Sequence, residues 1–269
     1  MSDDFVSGEL GVVTGRRREL RTRIEDALID VRRSALLEGP RLARAAATAP
    51  PRRRVLAIGV TRDDRPNLMA QSRAELLRSR HDVEVATCDI GGRGKFENLN
   101  ALLEANDNAA GRDWLIALDD DVELPRGFLD RFLFLVERFD LRLAQPAHRR
   151  RSHAAWRVTR RQSETVVRET SFVEIGPVSA FHSSTFETLL PFPPLRTGWG
   201  LDSHWSALAR ERGWRIGVID AVPIRHISRA IADDYRHADA MSEARQFLAQ
   251  RPYVTAVEAQ RTLAAHRRW

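Results

Sequence analysis

Cysteine and long apolar runs are nearly absent from this sequence. Cys88 is the only cysteine among 269 residues, which excludes an internal disulfide, and its apolar surroundings predict a packed side chain rather than a nucleophile. No run of about 18 or more apolar residues occurs, and residues 1–15 carry acids where a leader would be basic and then apolar. The sequence therefore predicts neither a membrane span nor secretion, and we expect a cytoplasmic protein.

Lysine is almost missing as well, because Lys95 is the only lysine among 43 basic residues. The formal net charge of +6 therefore rests on arginine, whose planar group suits phosphates and carboxylates. A skewed ratio of arginine to lysine also follows from genome base composition, so the charge indicates anionic partners only weakly. One such partner is an anionic membrane surface, which the protein would contact peripherally. No nucleic-acid-binding motif is evident, and we expect no nucleic acid as a partner.

Residues 51–230 have the pattern of one α/β domain, in which short apolar runs alternate with segments of helical spacing. Strands are predicted at 55–60, 83–87, 114–118, 141–145, 170–175, 178–182 and 215–219, and helices at 68–77, 96–103 and 126–139. The order strand, helix, strand is typical of parallel sheets. We therefore expect a mostly parallel sheet flanked by helices.

Two helical extensions are predicted around this domain, at residues 1–50 and 231–269. In the first, a helix over 16–37 places Leu20, Ile24, Leu28, Val31 and Ala35 at steps of three and four. This amphipathic helix is expected to pack on the α/β domain or to pair with a partner chain, which would give a homodimer. Residues 45–54 contain two prolines and are predicted to be a linker. A further helix is expected from residue 230 onward, and a last one over 255–266.

Three consecutive acids, Asp119, Asp120 and Asp121, follow the apolar run at 114–118. A buried strand cannot hold adjacent uncompensated charges, so the acids must lie at its exposed carboxyl end, where open α/β sheets bind ligands. Asp119 and Asp121 are two positions apart, a spacing that directs both side chains to one side of an extended turn and suits Mg²⁺ or Mn²⁺. A solvated acidic turn is the alternative.

Three further features carry side chains that could bind a ligand or catalyse a reaction. They are the stretches Gly94–Asn100 and Gly198–Asp202 and the late residue His226. Two glycines around Trp199 let the backbone turn sharply and present an indole face, on which sugars stack. Each residue also has a plain structural alternative. Lys95 can be a solvated side chain, His226 a structural histidine, and Asp202 the N-cap of the helix that follows it.

Taken in their order along the chain, these motifs resemble those of the metal-dependent glycosyltransferases of the GT-A type. The resemblance is closest to family 2, and it covers residues 54–229. The resemblance implies a Rossmann-like GT-A fold and a Mn²⁺ or Mg²⁺ cofactor. It implies transfer of a sugar from a nucleotide diphosphate-sugar, a UDP-sugar being favoured, to the hydroxyl of an acceptor that the sequence does not identify. The reaction is expected to invert the anomeric configuration. This chain departs from the family pattern at one position, because relatives often carry an acidic pair where it has Leu201 before Asp202.

The resemblance also implies a role for individual residues. Asp202 would be the catalytic base. The metal ligands would be Asp119, Asp121 and His226; the donor would contact Thr61, Arg65, Asp89, Lys95, Asn98, Asp119 and Asp120; and the acceptor would contact Trp199, Gly200 and Asp202. Apart from the resemblance, the arginine-rich composition of segment 148–168 predicts an exposed hairpin or mobile loop, or else a loop that faces the acceptor or a phosphate near the acidic site.

Two other functions compete with sugar transfer. A nucleotidyltransferase would also have a parallel sheet and metal-binding acids, but it usually carries a glycine-rich phosphate loop after the first strand, and residues 61–66 contain no glycine. A catalytically silent protein could use its arginines to bind nucleic acid or membrane anions. Mn²⁺-dependent hydrolysis of a nucleotide-sugar would favour the enzyme, and steep salt dependence of nucleic-acid affinity the silent protein.

Overall fold

A sheet of nine strands forms the centre of the residues that the computed structural model describes, which are 3–7, 15–36, 38–49, 51–62, 64, 67–227 and 237–269. The strands are β1 (Arg54–Thr61), β2 (Asp82–Asp89), β3 (Trp114–Asp119), β4 (Val122–Glu123), β5 (Leu141–His148), β6 (Val167–Thr170), β7 (Val178–His182), β8 (Arg215–His226) and β9 (Thr262–His266). Their order is β2-β1-β3-β7-β5-β8-β6-β9, and β4 pairs with the end of β8.

Most strands of this sheet run in one direction. Strands β2, β1, β3, β5, β8 and β9 are parallel to one another, and only β7 and β6 are reversed along the path, as the pairings require. The mostly parallel sheet that the sequence predicts is therefore confirmed. The register sets Thr61 beside Asp89 and Val60 beside Asp119, so the carboxyl ends of β2, β1 and β3 meet at one edge.

Helices cover both faces of the sheet. They are α1 (Arg16–Ala35), α2 (Glu38–Thr48), α3 (Met69–Leu76), α4 (Lys95–Glu104), α5 (Phe128–Arg138), α6 (Phe186–Leu189), α7 (Leu201–Glu211), α8 (His237–Leu248) and α9 (Ala256–Ala259). Apolar side chains of α2, α3 and α5 form one core, and those of α4, α7 and α8 form the other. No helix among the described residues is long and apolar enough to span a bilayer.

Strand β3 shows why the central strands are apolar along their whole length. Trp114, Ile116 and Leu118 contribute to the core under α5, whereas Leu115 and Ala117 contribute to the core under α4. Successive side chains of a strand point to opposite faces, so a sheet covered on both sides needs a continuous apolar run. The run stops at Asp119, where the strand leaves the core.

Several segments differ from their predicted structure. The strand expected over 170–175 is wrong, because β6 spans Val167–Thr170 and residues 171–175 lie in the loop that follows it. The helix expected over 255–266 is wrong, because α9 spans four residues and β9 follows it, paired with β6 as the outermost strand of the sheet. Pairing with an open sheet edge overrides helical spacing here, as tertiary contacts often do. The linker expected over 45–54 is wrong at its start, because α2 continues to Thr48 through an alanine-rich stretch. Part of the helix predicted after 230 lies outside the described residues.

The basic segment 148–168 is not an exposed hairpin. Arg161 and Arg168 are buried, and Arg168 donates a hydrogen bond from Nε to Asp220 Oδ2 at 2.7 Å. Burial of a guanidinium is tolerated only when its charge is paired, and Asp220 provides that charge. The last residues of the segment form β6 in the central sheet. Helix α1 packs on the part that precedes β6, and it does so through polar side chains.

Candidate functional site

Asp119, Asp121 and His226 lie together at the carboxyl edge of the sheet, and we call these three residues the metal group. Asp119 ends β3, and Asp121 directly precedes β4, whose first residue pairs with His226 at the end of β8. One ligand atom from each side chain lies within 4.8 Å of the other two. The two-residue strand β4 thus brings a distant imidazole to the acids, and the group can hold a metal ion.

The imidazole of His226 is oriented by both of its nitrogens. Nε2 lies 3.0 Å from Asp121 Oδ2, and Nδ1 lies 3.3 Å from the backbone oxygen of His153. A carbonyl only accepts hydrogen bonds, so Nδ1 carries a proton and Nε2 faces the acids, the tautomer that a metal ligand needs. Burial opposes the charged form, but the hydrogen bond and the charge of Asp121 outweigh it and raise the pKa of His226.

Lys95 adds a positive charge to this edge of the sheet. Lys95 is the first residue of α4, and its Nζ lies 2.5 Å from Asp119 Oδ1. Gly94 permits this placement, because a Cβ there would lie 2.3 Å from the Cα of Arg196. The Lys95 amide donates to the Arg196 carbonyl at 3.1 Å, which fixes the start of α4. The predicted donor-binding lysine is therefore next to the metal group.

Thr61 and Asp89 lie at the neighbouring strand ends, where the register pairs them. The Thr61 hydroxyl donates to the Cys88 carbonyl at 3.1 Å, and Asp89 Oδ2 accepts from the amide of Gly91 at 3.0 Å. Both side chains therefore shape the turns that follow β1 and β2. Arg65, the remaining donor-binding residue predicted for the first of these turns, lies outside the described residues.

Asp120 and Asn98 are buried and bind backbone groups rather than facing the metal group. Asp120 Oδ2 accepts from the amide of Arg62 at 2.8 Å, and burial raises the pKa of this carboxyl. The Asn98 amide donates to the carbonyls of Ile90 and Gly94, at 2.8 and 3.2 Å. The described contacts thus tie these two residues to the loops around the site, and a direct donor contact stays a prediction for both.

Asp202 lies in the first turn of α7 and is 6% exposed. Gly200 occupies the position before this helix, so the alternative in which Asp202 is the N-cap is wrong. Its Oδ1 accepts from the Ser203 amide at 2.9 Å. Burial, and then the negative charge of Glu174, raise the pKa of Asp202 to about 7, which is typical of carboxyls that exchange protons in catalysis.

The Gly198–Gly200 turn packs tightly between two helices. Gly198 has a φ of +78°, and a Cβ there would lie 2.1 Å from the ring of Phe96 in α4. Trp199 is half-buried and meets His237 of α8 edge to face, with ring centroids 5.0 Å apart. Gly198 is therefore required by the close approach to α4, and Gly200 by the approach of Leu248 in α8, which a Cβ there would meet at 2.8 Å. The predicted contact of Trp199 and Gly200 with an acceptor stays a prediction.

Glu174 is a site residue that the sequence reading missed. Its Oε2 lies 3.2 Å from His148 Nε2 and accepts from the Thr159 hydroxyl at 3.2 Å. Its negative charge helps to raise the pKa of both Asp202 and His226, so it acts on the candidate base and on the metal group alike. The only sequence signal is a single acid within an otherwise buried apolar run, with Phe172 and Val173 before it.

Gly176 is a second residue that was missed. A Cβ at this position would lie 2.8 Å from Asp119 Oδ2 and 3.3 Å from Lys95 Nζ. The next residue, Pro177, accepts a hydrogen bond from the Asp119 amide at 2.8 Å. The loop before β7 therefore lies against the pair formed by Lys95 and Asp119, and a side chain at position 176 would displace the Asp119 carboxylate.

No protein-family model matches the sequence, and a search of the curated proteins finds no match. Among solved structures, the chain is similar to the mannosyltransferase PcManGT from Pyrobaculum calidifontis, solved in complex with GDP-Man and Mn²⁺. The identity is 17%, the TM-score is 0.53, and the match covers 87% of this chain and 78% of that one. This likeness confirms the GT-A fold that the sequence predicts.

Two weaker likenesses have a TM-score of 0.45 and an identity of 12%, and they add nothing to the assignment of the fold. One is A197 from STIV, with 65% of this chain and 86% of that chain covered. The other is GalNAc-T7, solved with UDP, GalNAc and Mn²⁺, with 68% of this chain and 45% of that chain covered.

Proposed function

We propose that this protein is a metal-dependent glycosyltransferase that moves a sugar from a nucleotide diphosphate-sugar to the hydroxyl of an acceptor in the cytoplasm. The observation that carries the proposal is the convergence of the metal group with Lys95 at the carboxyl edge of the sheet. Open α/β sheets bind ligands at this edge. The complex of the Pyrobaculum mannosyltransferase with GDP-Man and Mn²⁺ supports the same chemistry.

The donor atoms of the metal group fit a hard divalent cation. Two carboxylates and one imidazole make an oxygen-rich set that suits Mn²⁺, and Mg²⁺ is the alternative when water and phosphate oxygens complete the shell. A bound cation would neutralise the diphosphate and the charge that develops on the departing nucleotide. Lys95 would serve the same diphosphate as a point charge on a flexible stem, exchanging its contact with Asp119 for one with a phosphate oxygen.

Asp202 would act on the acceptor side of the reaction. Its carboxylate takes the proton of the acceptor hydroxyl while that oxygen forms a bond to the anomeric carbon of the sugar. The bond from this carbon to the phosphate oxygen breaks on the opposite face, and the electron pair leaves with the nucleoside diphosphate. Direct displacement of this kind inverts the anomeric configuration, so inversion is part of the proposal.

A panel of donors with and without Mn²⁺ tests the proposal. It includes GDP-mannose and several UDP-sugars, since a UDP-sugar is the predicted donor and the structural neighbour binds GDP-Man. A ligand at 100 times its Kd stabilises the native state by about 2.7 kcal/mol. For a chain of this length that raises the melting midpoint by roughly 5–10 °C. At least one donor is expected to do so in Mn²⁺ and not in EDTA; the absence of any Mn²⁺-dependent shift would overturn the proposal.

Gly176→Ala is expected to slow donor turnover with little loss of stability. The added methyl would lie 2.8 Å from Asp119 Oδ2, so Asp119 and Lys95 must move, and displacements of this size lower rates by about 10- to 100-fold. The measurement is Mn²⁺-dependent release of nucleoside diphosphate from the donor. Gly39→Ala is the matched control, because a Cβ there meets nothing within 4 Å. Equal rates for both variants would show that the contact is unimportant.

A further inference from the structure

Helix α1 is attached to the rest of the protein by its polar side. Asp26 and Arg33 are buried, and Asp30 lies beside them on the same face. Most of their partners belong to residues 149–165: the amides of Arg150 and Arg151 with Asp26 at 3.0 and 3.1 Å, the guanidiniums of Arg149 and Arg161 with Asp30 at 2.7 Å, and the carbonyl of Thr165 with Arg33. Arg33 also pairs with Glu38 of α2 at 3.4 Å. Charged groups therefore fix the inward face of this helix.

The outward face of α1 is apolar, and we call its four large side chains the apolar stripe. Leu20, Ile24, Leu28 and Val31 are 61%, 50%, 65% and 67% exposed. Steps of four, four and three place them on one side of a helix with 3.6 residues per turn. A helix that packs on its own domain normally buries such a stripe, and this one turns it to the outside.

Arginines line both sides of the apolar stripe. At 3.6 residues per turn, Arg21 and Arg32 fall on one flank, and Arg16 and Arg23 fall on the other. Arg17 lies in line with the stripe, just before its first residue, and all five arginines are exposed. Arg21 contacts Glu25 at 2.9 Å and Arg32 contacts Glu164 at 3.6 Å, both at the surface. Long arginine side chains can lay their stems on apolar surface and hold their charges several ångströms away, at the level of headgroups.

The charges on these flanks indicate which of two partners covers the apolar stripe, a second copy of the chain or a membrane. A second copy of the chain would bring flanking arginines of one α1 against those of the other, and the nearest acid, Glu25, already contacts Arg21. Anionic lipid headgroups would instead neutralise the arginines while the acyl region buries the stripe. We propose that α1 is an interfacial helix that attaches this protein to the surface of a membrane containing anionic lipids.

Binding of the full chain to vesicles tests this proposal independently of sugar transfer. Vesicles of phosphatidylcholine with one part in three of phosphatidylglycerol are compared with vesicles of phosphatidylcholine alone. We expect at least about 10-fold tighter binding to the anionic vesicles. The double variant Ile24→Asn/Leu28→Asn should lose at least about 10-fold of this affinity, because it removes two buried apolar side chains from the bound state. The triple variant Arg16→Gln/Arg17→Gln/Arg23→Gln should lose the preference for anionic lipid.

The matched control is Val257→Asn/Leu263→Asn, which changes two side chains that are 76% and 67% exposed elsewhere on the surface. This variant should bind vesicles as the unchanged protein does. Equal loss of binding in the control and in the α1 variant would overturn the proposal. So would a dimer in light scattering that the Ile24→Asn/Leu28→Asn variant converts to a monomer, because a second copy would then cover the stripe.

Discussion

Asparagine in place of Asp202 is expected to lower the release of nucleoside diphosphate from the donor by about 10²- to 10⁴-fold. The amide cannot accept the acceptor proton, whereas the backbone contact with Ser203 does not involve the donor. Donor affinity in the presence of Mn²⁺ should therefore change little. The measurements are single-turnover rates and donor titrations with the same protein. A variant that keeps its rate would remove Asp202 from the mechanism, and a product with retained anomeric configuration would exclude direct displacement.

The same substitution is expected to stabilise the folded protein above pH 7. Folding raises the pKa of Asp202 from 3.8 to about 7, so the folded state binds this proton more tightly than the unfolded state does. Stability is therefore lost as the pH rises between these two values, by up to about 4 kcal/mol. Asparagine is neutral at every pH and avoids this loss. The melting midpoint of the variant should exceed that of the unchanged protein above pH 7 and not below pH 3.8.

Glu174→Gln tests whether Asp202 is the base that titrates near pH 7. Removing the charge of Glu174 should lower the pKa of Asp202, and the rising limb of the rate against pH should move from about 7 to lower values. A merely structural role for Glu174 would lower the rate without moving that limb. If neither the limb nor the rate changed in Glu174→Gln, the group that titrates in the unchanged protein would not be Asp202.

Asparagine in place of Asp121 is expected to have the second large effect, a loss of at least about 100-fold in Mn²⁺-dependent turnover. The substitution removes one anionic ligand and also the partner that lies 3.0 Å from His226 Nε2. The pKa of His226 should fall as a result, because the hydrogen bond and charge of Asp121 are what raise it. Rates are measured across Mn²⁺ concentrations so that weaker metal binding is separated from slower chemistry.

Glu123→Gln is the matched control for Asp121→Asn. Glu123 lies two residues further along, is 49% exposed, and contacts Arg225 at 3.4 Å on the surface. Removing its charge should leave the rate and its Mn²⁺ dependence close to those of the unchanged protein. If Asp121→Asn and Glu123→Gln had similar rates, the metal would be held elsewhere or would take no part in turnover.

The central strands and the acids at the end of β3 could be predicted because their causes are local. A strand covered on both faces must be apolar throughout, and the first charges after it must lie at its exposed end. The position of His226 beside Asp121 has no local cause, since it depends on the pairing of β4 with β8 across about a hundred residues. Only the family resemblance pointed to it.

Other features could not be predicted because no periodic pattern encodes them. Glu174 is a single acid on a loop, and its partners His148 and Thr159 come from separate parts of the chain. Strand β9 depends on the free edge of β6. For α1 the spacing predicts a helix correctly, but it does not tell which side faces the protein, and the buried contacts of Asp26 decide that.

Calorimetric titration of Mn²⁺ into the protein, in the presence of UDP or GDP, tests most directly whether the metal group holds a cation that binds a diphosphate. We expect one ion per chain, with an affinity that rises with pH as the proton leaves His226, whose pKa is raised above 6.5. Binding should be lost in the double variant Asp121→Asn/His226→Ala. Unchanged affinity in that variant, or no Mn²⁺ binding with either nucleotide, would contradict the account.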